Sequence, residues 1–193
     1  MLQHSRGSTG TKELTDINVF CQRFVQLARN TLHSRHPGFE VRYIENYDPG
    51  MGQVAIIQQE LGQVLVNLVS NAHYAVMERA QKNPHPGYQP AINITTEKKA
   101  GKLVISVKDN GTGIPAQVQG KVFQPFFTTK PEGQGTGLGL AMVYGLMQQH
   151  QGFVCICSKP GPGACFLLVF RVADAGVPAA RREQTAAAPR GGH

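Results

Sequence analysis

Ala91-Ile92-Asn93-Ile94-Thr95-Thr96-Glu97 and Lys102-Leu103-Val104-Ile105-Ser106-Val107-Lys108 each alternate apolar and polar side chains, with a short Lys99-Ala100-Gly101 turn between them. Two strands joined this tightly run antiparallel, because a parallel return needs a crossover of about a dozen residues or more. Upstream, residues 58–81 carry Leu61, Val64, Leu65, Leu68, Val69, Ala72 and Val76 at spacings of three and four, which predicts a long helix ended by Asn83-Pro84-His85-Pro86-Gly87. Further back, Asp16 is the expected N-cap of a helix through Phe20, Phe24, Leu27, Ala28 and Leu32, stopped by His36-Pro37-Gly38. Residues 39–44 and 53–56, on either side of Pro49-Gly50, read as a pair of short strands.

Downstream of Asp109 the periodicity fades, and residues 110–137 are dominated by glycine and proline around Phe123, Phe126 and Phe127. A loop of this length inside a compact domain is usually functional. Residues 138–150 then predict a helix capped by Gly152, and residues 153–157 and 165–172 a closing hairpin around Gly161-Pro162-Gly163. Helices grouped beside hairpin-linked strands predict an α+β two-layer sandwich, and they argue against a doubly wound parallel sheet. The expected division is 1–12 as the end of a preceding, truncated helical hairpin, 13–172 as the folded domain, and 173–193 as a disordered tail rich in alanine, proline and arginine.

The 193 residues are 41% hydrophobic, enough for a core without disulfides or metals, and no apolar run approaches a membrane span or a secretion signal. A cytoplasmic location is expected. Nineteen Lys and Arg against twelve Asp and Glu leave a charge of +7, which suits phosphorylated ligands or nucleic acid. The basic residues are scattered and tryptophan is absent, so nucleic-acid binding is not expected. Cys21, Cys155, Cys157 and Cys165 form no CxxC pair; they are expected to be buried reduced thiols rather than metal ligands.

Three places carry chemistry. Glu60, Asn67 and Asn71 share one stripe of the long helix, where asparagine is a poor helix former and a buried amide needs a partner. Two readings remain: the amides cap neighbouring loops, or an amide oxygen coordinates Mg²⁺ beside phosphate oxygens. Asp109, followed by Asn110-Gly111-Thr112-Gly113, is either a plain turn residue or an acceptor for the exocyclic amine of adenine. The run from Gly133 through Leu140 leads from the loop into a helix N-terminus, which gathers free amides for an anion. Thr128, Thr129 and Lys130 lie just before it and add hydroxyls and a cation, although a lone lysine is ordinarily just solvated.

In this order the pieces resemble the ATP-binding catalytic domain of bacterial sensor histidine kinases, of the Bergerat-type superfamily shared with gyrase and a heat-shock chaperone. Residues 60–72 are similar to its asparagine box, 109–113 to its first glycine box, 123–130 to its phenylalanine box and 135–140 to its second glycine box. The resemblance implies a mixed, mostly antiparallel sheet with helices on one face and a long mobile lid. It further implies ATP and Mg²⁺ as cofactors, Asn71 as metal ligand, and Asn67 and Asn71 as catalytic residues. The nucleotide would be held by Asn71, Tyr74, Asp109, Gly111, Gly113, Ile114, Phe123, Thr128, Thr129, Lys130, Gly135, Thr136, Gly137, Leu138, Gly139 and Leu140.

In the superfamily's hydrolases a glutamate stands where this chain has Asn67, and an amide cannot serve as that base. The implied activity is therefore phosphoryl transfer to a histidine in two-component signalling, with an ATP-sensing module that transfers nothing as the alternative. His4, His33, His36, His73, His85, His150 and His193 all lack the family's acceptor context. The acceptor is expected on a dimerisation hairpin supplied in cis or in trans, with a homodimeric full-length protein and a response regulator as indirect partner. Two departures stand out: His73-Tyr74 where many relatives place a basic residue, and Ala164 where many carry a hydroxyl.

Overall fold

In the computed structural model, residues 10–131, 133–157 and 163–171 are described, Arg171 by its backbone alone. The expected hairpin end within 1–12 lies largely outside the described residues, as do the expected tail and the Gly161-Pro162 tip. The elements run β1 (Glu13–Asp16), α1 (Ile17–Arg35), β2 (Arg42–Tyr47), β3 (Gln53–Ile56), α2 (Gln58–Lys82), β4 (Ala91–Lys99), β5 (Lys102–Asp109), α3 (Ala116–Gln119), α4 (Gly139–Gln149), β6 (Phe153–Ile156) and β7 (Cys165–Arg171). Five strands form one sheet in the order β2-β4-β5-β7-β6, in which β2 and β4 are parallel and the other neighbours antiparallel. The α+β architecture is as expected.

Local chemistry explains the long elements. The Asp16 side chain accepts from the amides of Asn18 and Val19, which caps α1. Helix α2 buries Leu61, Val64, Leu65, Leu68, Val69, Ala72, His73 and Val76, so it lies at the centre of the helical layer, between α1 and α4 and over β4 and β5. A Cβ on Gly62 would overlap the Phe24 ring, so this glycine sets how closely α1 approaches α2.

Two expectations fail around β3. Strand β1 was not expected, and it pairs antiparallel with β3 in a separate two-stranded sheet, Leu14 opposite Ala55. Strands β2 and β3 therefore do not pair with each other, and β2 begins at Arg42 rather than residue 39. The cause is Asp48, whose amide donates to the Thr96 carbonyl and hydroxyl (3.3 and 3.0 Å) and whose Oδ2 accepts from the Lys98 amide at 2.9 Å. These bonds fasten the end of β2 to β4, so the chain after Pro49 leaves the main sheet.

The cysteine expectation is also corrected. Cys21 is a buried thiol and Cys155 a half-buried one, but Cys157 is exposed and joined to Cys165 as a disulfide, with Cα atoms 5.2 Å apart. Cross-strand adjacency brings these two together, and only the pairing of β6 with β7 reveals it.

Alternation along β5 positions the site. Leu103, Ile105 and Val107 face the helices, and the same parity brings Asp109 to that face at the end of the strand, 4% exposed.

Candidate functional site

Between the end of the sheet, α2 and the 110–138 segment lies a cavity of about 350 Å³. It is lined by Asn67, Asn71 and Tyr74 from α2, by Asp109, Gly113 and Ile114 from the end of β5 onward, and by Thr128, Thr129, Lys130, Gly135, Thr136, Gly137, Gly139 and Leu140 from the second half of the segment and the start of α4. Most of the expected site residues thus converge on one volume. Gly111, Phe123 and Leu138 do not line it.

Their positions explain why. A Cβ on Gly111 would run into the Ala75 backbone, so this glycine serves the packing of the turn on α2 rather than a ring in the cavity. Phe123 packs on Tyr144 and Phe166, with ring centroids 5.9 and 6.4 Å away, and anchors the segment from below. Leu138 precedes α4 and is 43% exposed.

Asp109 is held from two sides: its Oδ1 accepts from the Gly111 amide at 2.8 Å and the Ala164 amide at 3.2 Å. Oδ2 is the oxygen left to a ligand. Burial pushes the carboxyl up to about 6, against the downward pull of those amides. The turn after it is tied by Asn110, whose Oδ1 accepts from the Ala91 amide and whose carbonyl accepts from Arg79 Nη1 at 2.6 Å. Ala164 lacks a side-chain hydroxyl, yet its backbone N–H grips the carboxylate directly.

On α2, Asn67 Nδ2 donates back to the Gln63 carbonyl at 3.0 Å, and Asn71 Oδ1 accepts from Lys130 Nζ at 3.1 Å. Lys130 is not the solvated lysine of the simpler reading; its ammonium also lies 4.3 Å from the centre of the Tyr74 ring, and burial lowers its pKa. Glu60 does not reach the cavity. It faces His150 at the end of α4, Oε2 to Nε2 3.2 Å.

His73 points the other way as well. Buried, stacked on His36 at 5.5 Å and edge-on to Phe39 at 5.6 Å, it is held neutral, with burial lowering its pKa to about 4, so it supplies no phosphate contact. Among the described lining residues the basic group is Lys130.

Several lining residues escaped the sequence reading, among them Ser70, Glu78 and Phe166. Glu78 falls four and seven residues after Tyr74 and Asn71, on one helical stripe, so the signal was present. Its carboxylate takes Lys82 Nζ at 2.7 Å and the Thr112 hydroxyl at 3.1 Å, and these partners hold its pKa down.

The second glycine run is a close backbone approach. A Cβ on Gly137, which has φ +65°, would strike the Phe126 backbone, and the Phe126 amide donates to the Gly137 carbonyl at 2.9 Å. A Cβ on Gly139 would sit 3.3 Å from Asn67 Oδ1, so the start of α4 lies directly against Asn67.

Residues 56–174 match the family model described as histidine kinase-, DNA gyrase B- and HSP90-like ATPase. The chain belongs to this ATPase family. Among curated relatives, the sensor kinase CckA of Brucella abortus is 43% identical over 118 residues, 57% of this chain and 12% of that protein. The sensor histidine kinase ZraS of Escherichia coli K12 is 33% identical over 156 residues, 81% of this chain and 30% of that protein. The chain thus spans less than a third of either. The solved catalytic domain of the histidine kinase ThkA is 27% identical with a TM-score of 0.66, over 83% of this chain and 95% of that one.

The domain is accordingly a catalytic, ATP-binding ATPase domain of the sensor histidine kinase type. Among the described residues no helix is long and apolar enough to cross a membrane, and no cluster of three or more His, Cys, Asp or Glu could hold a metal.

Gly111→Ala tests how the turn after Asp109 is built. Forcing a methyl against the Ala75 backbone costs about 1–3 kcal/mol, so the melting temperature should fall by several degrees and ATP affinity with it. Gly120→Ala, where a Cβ meets nothing within 4 Å, is the matched control and should leave both unchanged in thermal scans and calorimetry.

Proposed function

We propose that this domain transfers the γ-phosphoryl group of ATP to a histidine on a dimerisation hairpin, supplied in cis or in trans, on the cytoplasmic side of two-component signalling. The observation that carries the proposal is the chemistry around Asn67. The only carboxylates among the described lining residues are Asp109, bound by two amides, and Glu78, bound by Lys82 and Thr112. Asn67 itself is an amide, so no general base stands ready to activate water there. A nucleophile that carries its own lone pair, such as an imidazole nitrogen, needs alignment more than deprotonation.

Roles follow from position. Asp109 accepts from the adenine amine through Oδ2. Lys130, Thr128, Thr129 and the amides of Gly135, Gly137 and Gly139 face the triphosphate, while the 110–138 segment closes over it. Asn71 fits a divalent cation, because its Oδ1 already receives a cationic group inside the cavity, and Asn67 adds a second hard oxygen one turn away. Mg²⁺ held there would neutralise charge on the phosphate oxygens.

No histidine lines the cavity among the described residues, which fits an acceptor brought from outside. We extend the reading to the catalytic domain expected from sequence over 13–172. In the whole protein we expect a homodimer acting on a response regulator.

Incubation with radiolabelled ATP tests this. The domain alone should neither label itself nor hydrolyse ATP appreciably. With a matching histidine-bearing hairpin it should label the hairpin, and the product should be acid-labile and base-stable. A base-labile product, or no product with any hairpin despite tight ATP binding, would overturn histidine transfer; the second result would leave an ATP-sensing module.

A further inference from the structure

The Cys157–Cys165 bond lies one residue from the nucleotide cavity. Ala164 and Phe166 line that cavity, and Cys165 between them projects to the opposite face of β7, by strand alternation. There it meets Cys157, whose amide donates to the Cys165 carbonyl at 2.9 Å, so the two are direct cross-strand neighbours. Their Cα separation of 5.2 Å is within the range a disulfide spans without backbone movement.

The four cysteines are not equivalent. Cys21 is fully buried, which pushes its thiol up to about 12, and Cys155 is half-buried, with its pKa raised by the same cause. Cys157 alone is exposed at the end of an edge strand, open to a small reagent.

We propose that Cys157 and Cys165 are a thiol–disulfide exchange site for low-molecular-weight disulfides and thiols, through which the redox poise of the surroundings sets the affinity of the domain for ATP. The proposal rests on Asp109 contacting the nucleotide, as argued above. In the oxidising direction, the Cys157 thiolate attacks one sulfur of a disulfide RSSR; the RS–SR bond breaks and RS⁻ leaves. The Cys165 thiolate then attacks Cys157 Sγ and expels the second RS⁻. Two protein thiols have lost two protons and two electrons, and RSSR has become two RSH.

The mechanical link is short. The bond fixes the first residue of β7 to the end of β6. The residue just before it, Ala164, donates its amide to Asp109 Oδ1 at 3.2 Å and accepts from the Asp109 amide at 2.9 Å. The oxidised form described here therefore holds the carboxylate in place for the ligand. Reduction releases β6 from β7 at this point and loosens that hold. In a thiol-rich compartment such bonds are typically made and broken rather than permanent.

The test equilibrates the whole chain at graded ratios of reduced to oxidised glutathione, identifies free thiols by alkylation and mass spectrometry, and measures ATP affinity by calorimetry at both extremes. Cys157 and Cys165 should lose reactivity together as the mixture becomes oxidising, while Cys21 stays unaffected. ATP should bind about three- to tenfold more weakly at the reduced end, the worth of one loosened hydrogen bond. Cys157→Ser should show one weak affinity throughout, and Cys165→Ser should accumulate a glutathione adduct on Cys157. Thiols that stay reactive at every ratio, or equal ATP affinity at both extremes with the bond demonstrably made and broken, would overturn the proposal while leaving the nucleotide site intact. Unchanged ATP affinity in Asp109→Asn at both extremes would instead remove the nucleotide role of Asp109, and this coupling with it.

Discussion

Asn71→Ala should cut phosphoryl transfer to a supplied hairpin histidine by about a thousandfold, because the charge stabilisation that a metal supplies in the transition state is worth several kcal/mol. The cavity gives the reason for expecting a rate effect larger than a binding effect. Asn71 Oδ1 is the acceptor for Lys130 Nζ, so the variant also frees that lysine to reach phosphate oxygens. ATP should still be captured, weakly, through Asp109 and Lys130. Calorimetry should therefore show modestly reduced affinity beside transfer near background, and transfer within tenfold of the parent would remove Asn71 from the metal's ligands.

Asp109→Asn should weaken ATP binding by about ten- to a hundredfold, the worth of one hydrogen bond to a charged group. It should also lessen the preference for ATP over GTP, since a carboxylate accepts from the adenine amine but opposes the guanine oxygen. The pH dependence separates this from general damage. The Asp109 carboxyl titrates near about 6, above its ordinary value because of burial, so parental ATP affinity should fall as pH drops through that value while the variant stays flat.

Stability should move the opposite way. A group whose folded pKa is raised favours the fold below its unfolded pKa, and that advantage is lost as pH rises through the folded value. At neutral pH the buried charge is therefore a cost. The neutral variant should melt at a higher temperature than its parent there, and the gap should shrink under acid. A parent and variant with the same melting temperature at every pH would mean that the carboxylate is not the strained group its 4% exposure indicates.

Much of this was legible from residues alone, for reasons that differ by element. The apolar period of α2 and the alternation of β4 and β5 are local signals, and the structure matches them to within two residues at each end. The Asp16 cap on α1 was equally readable. Strand β3 stands where residues 53–56 read as a strand, whereas β1, four residues long, is too short to show a period, and the pairing of the two is set by Asp48 holding the preceding strand elsewhere. The parallel match of Arg42 with Ala91 joins residues separated by the whole of α2, so nothing local could announce it.

The candidate site divides along the same line. Box positions gave Asn67, Asn71, Asp109 and the lid residues, but they took each glycine as a ligand contact, and Gly111 is instead a packing residue. The helical period could have placed His73 with Val69 and Val76 on the buried face, and Glu78 with Asn71 on the open one. The Cys157–Cys165 contact depends on strand register, which a spacing of eight does not specify.

Phe126 and Gly137 bear on how such a domain can diversify. Their backbones are clamped together, the Phe126 amide on the Gly137 carbonyl, at the two feet of the stretch between them. That stretch is therefore a closed circuit whose length is independent of the frame that carries it. Doubling the length of such a circuit costs only about 0.6 kcal/mol of closure entropy, whereas a single residue added outside the clamp would rotate α4 against Asn67. Thr128, Thr129 and Lys130 on one side and Gly135 and Thr136 on the other line the cavity, so length can change only between Lys130 and Gln134; there a lineage can lengthen the circuit while Lys130 keeps its bond to Asn71.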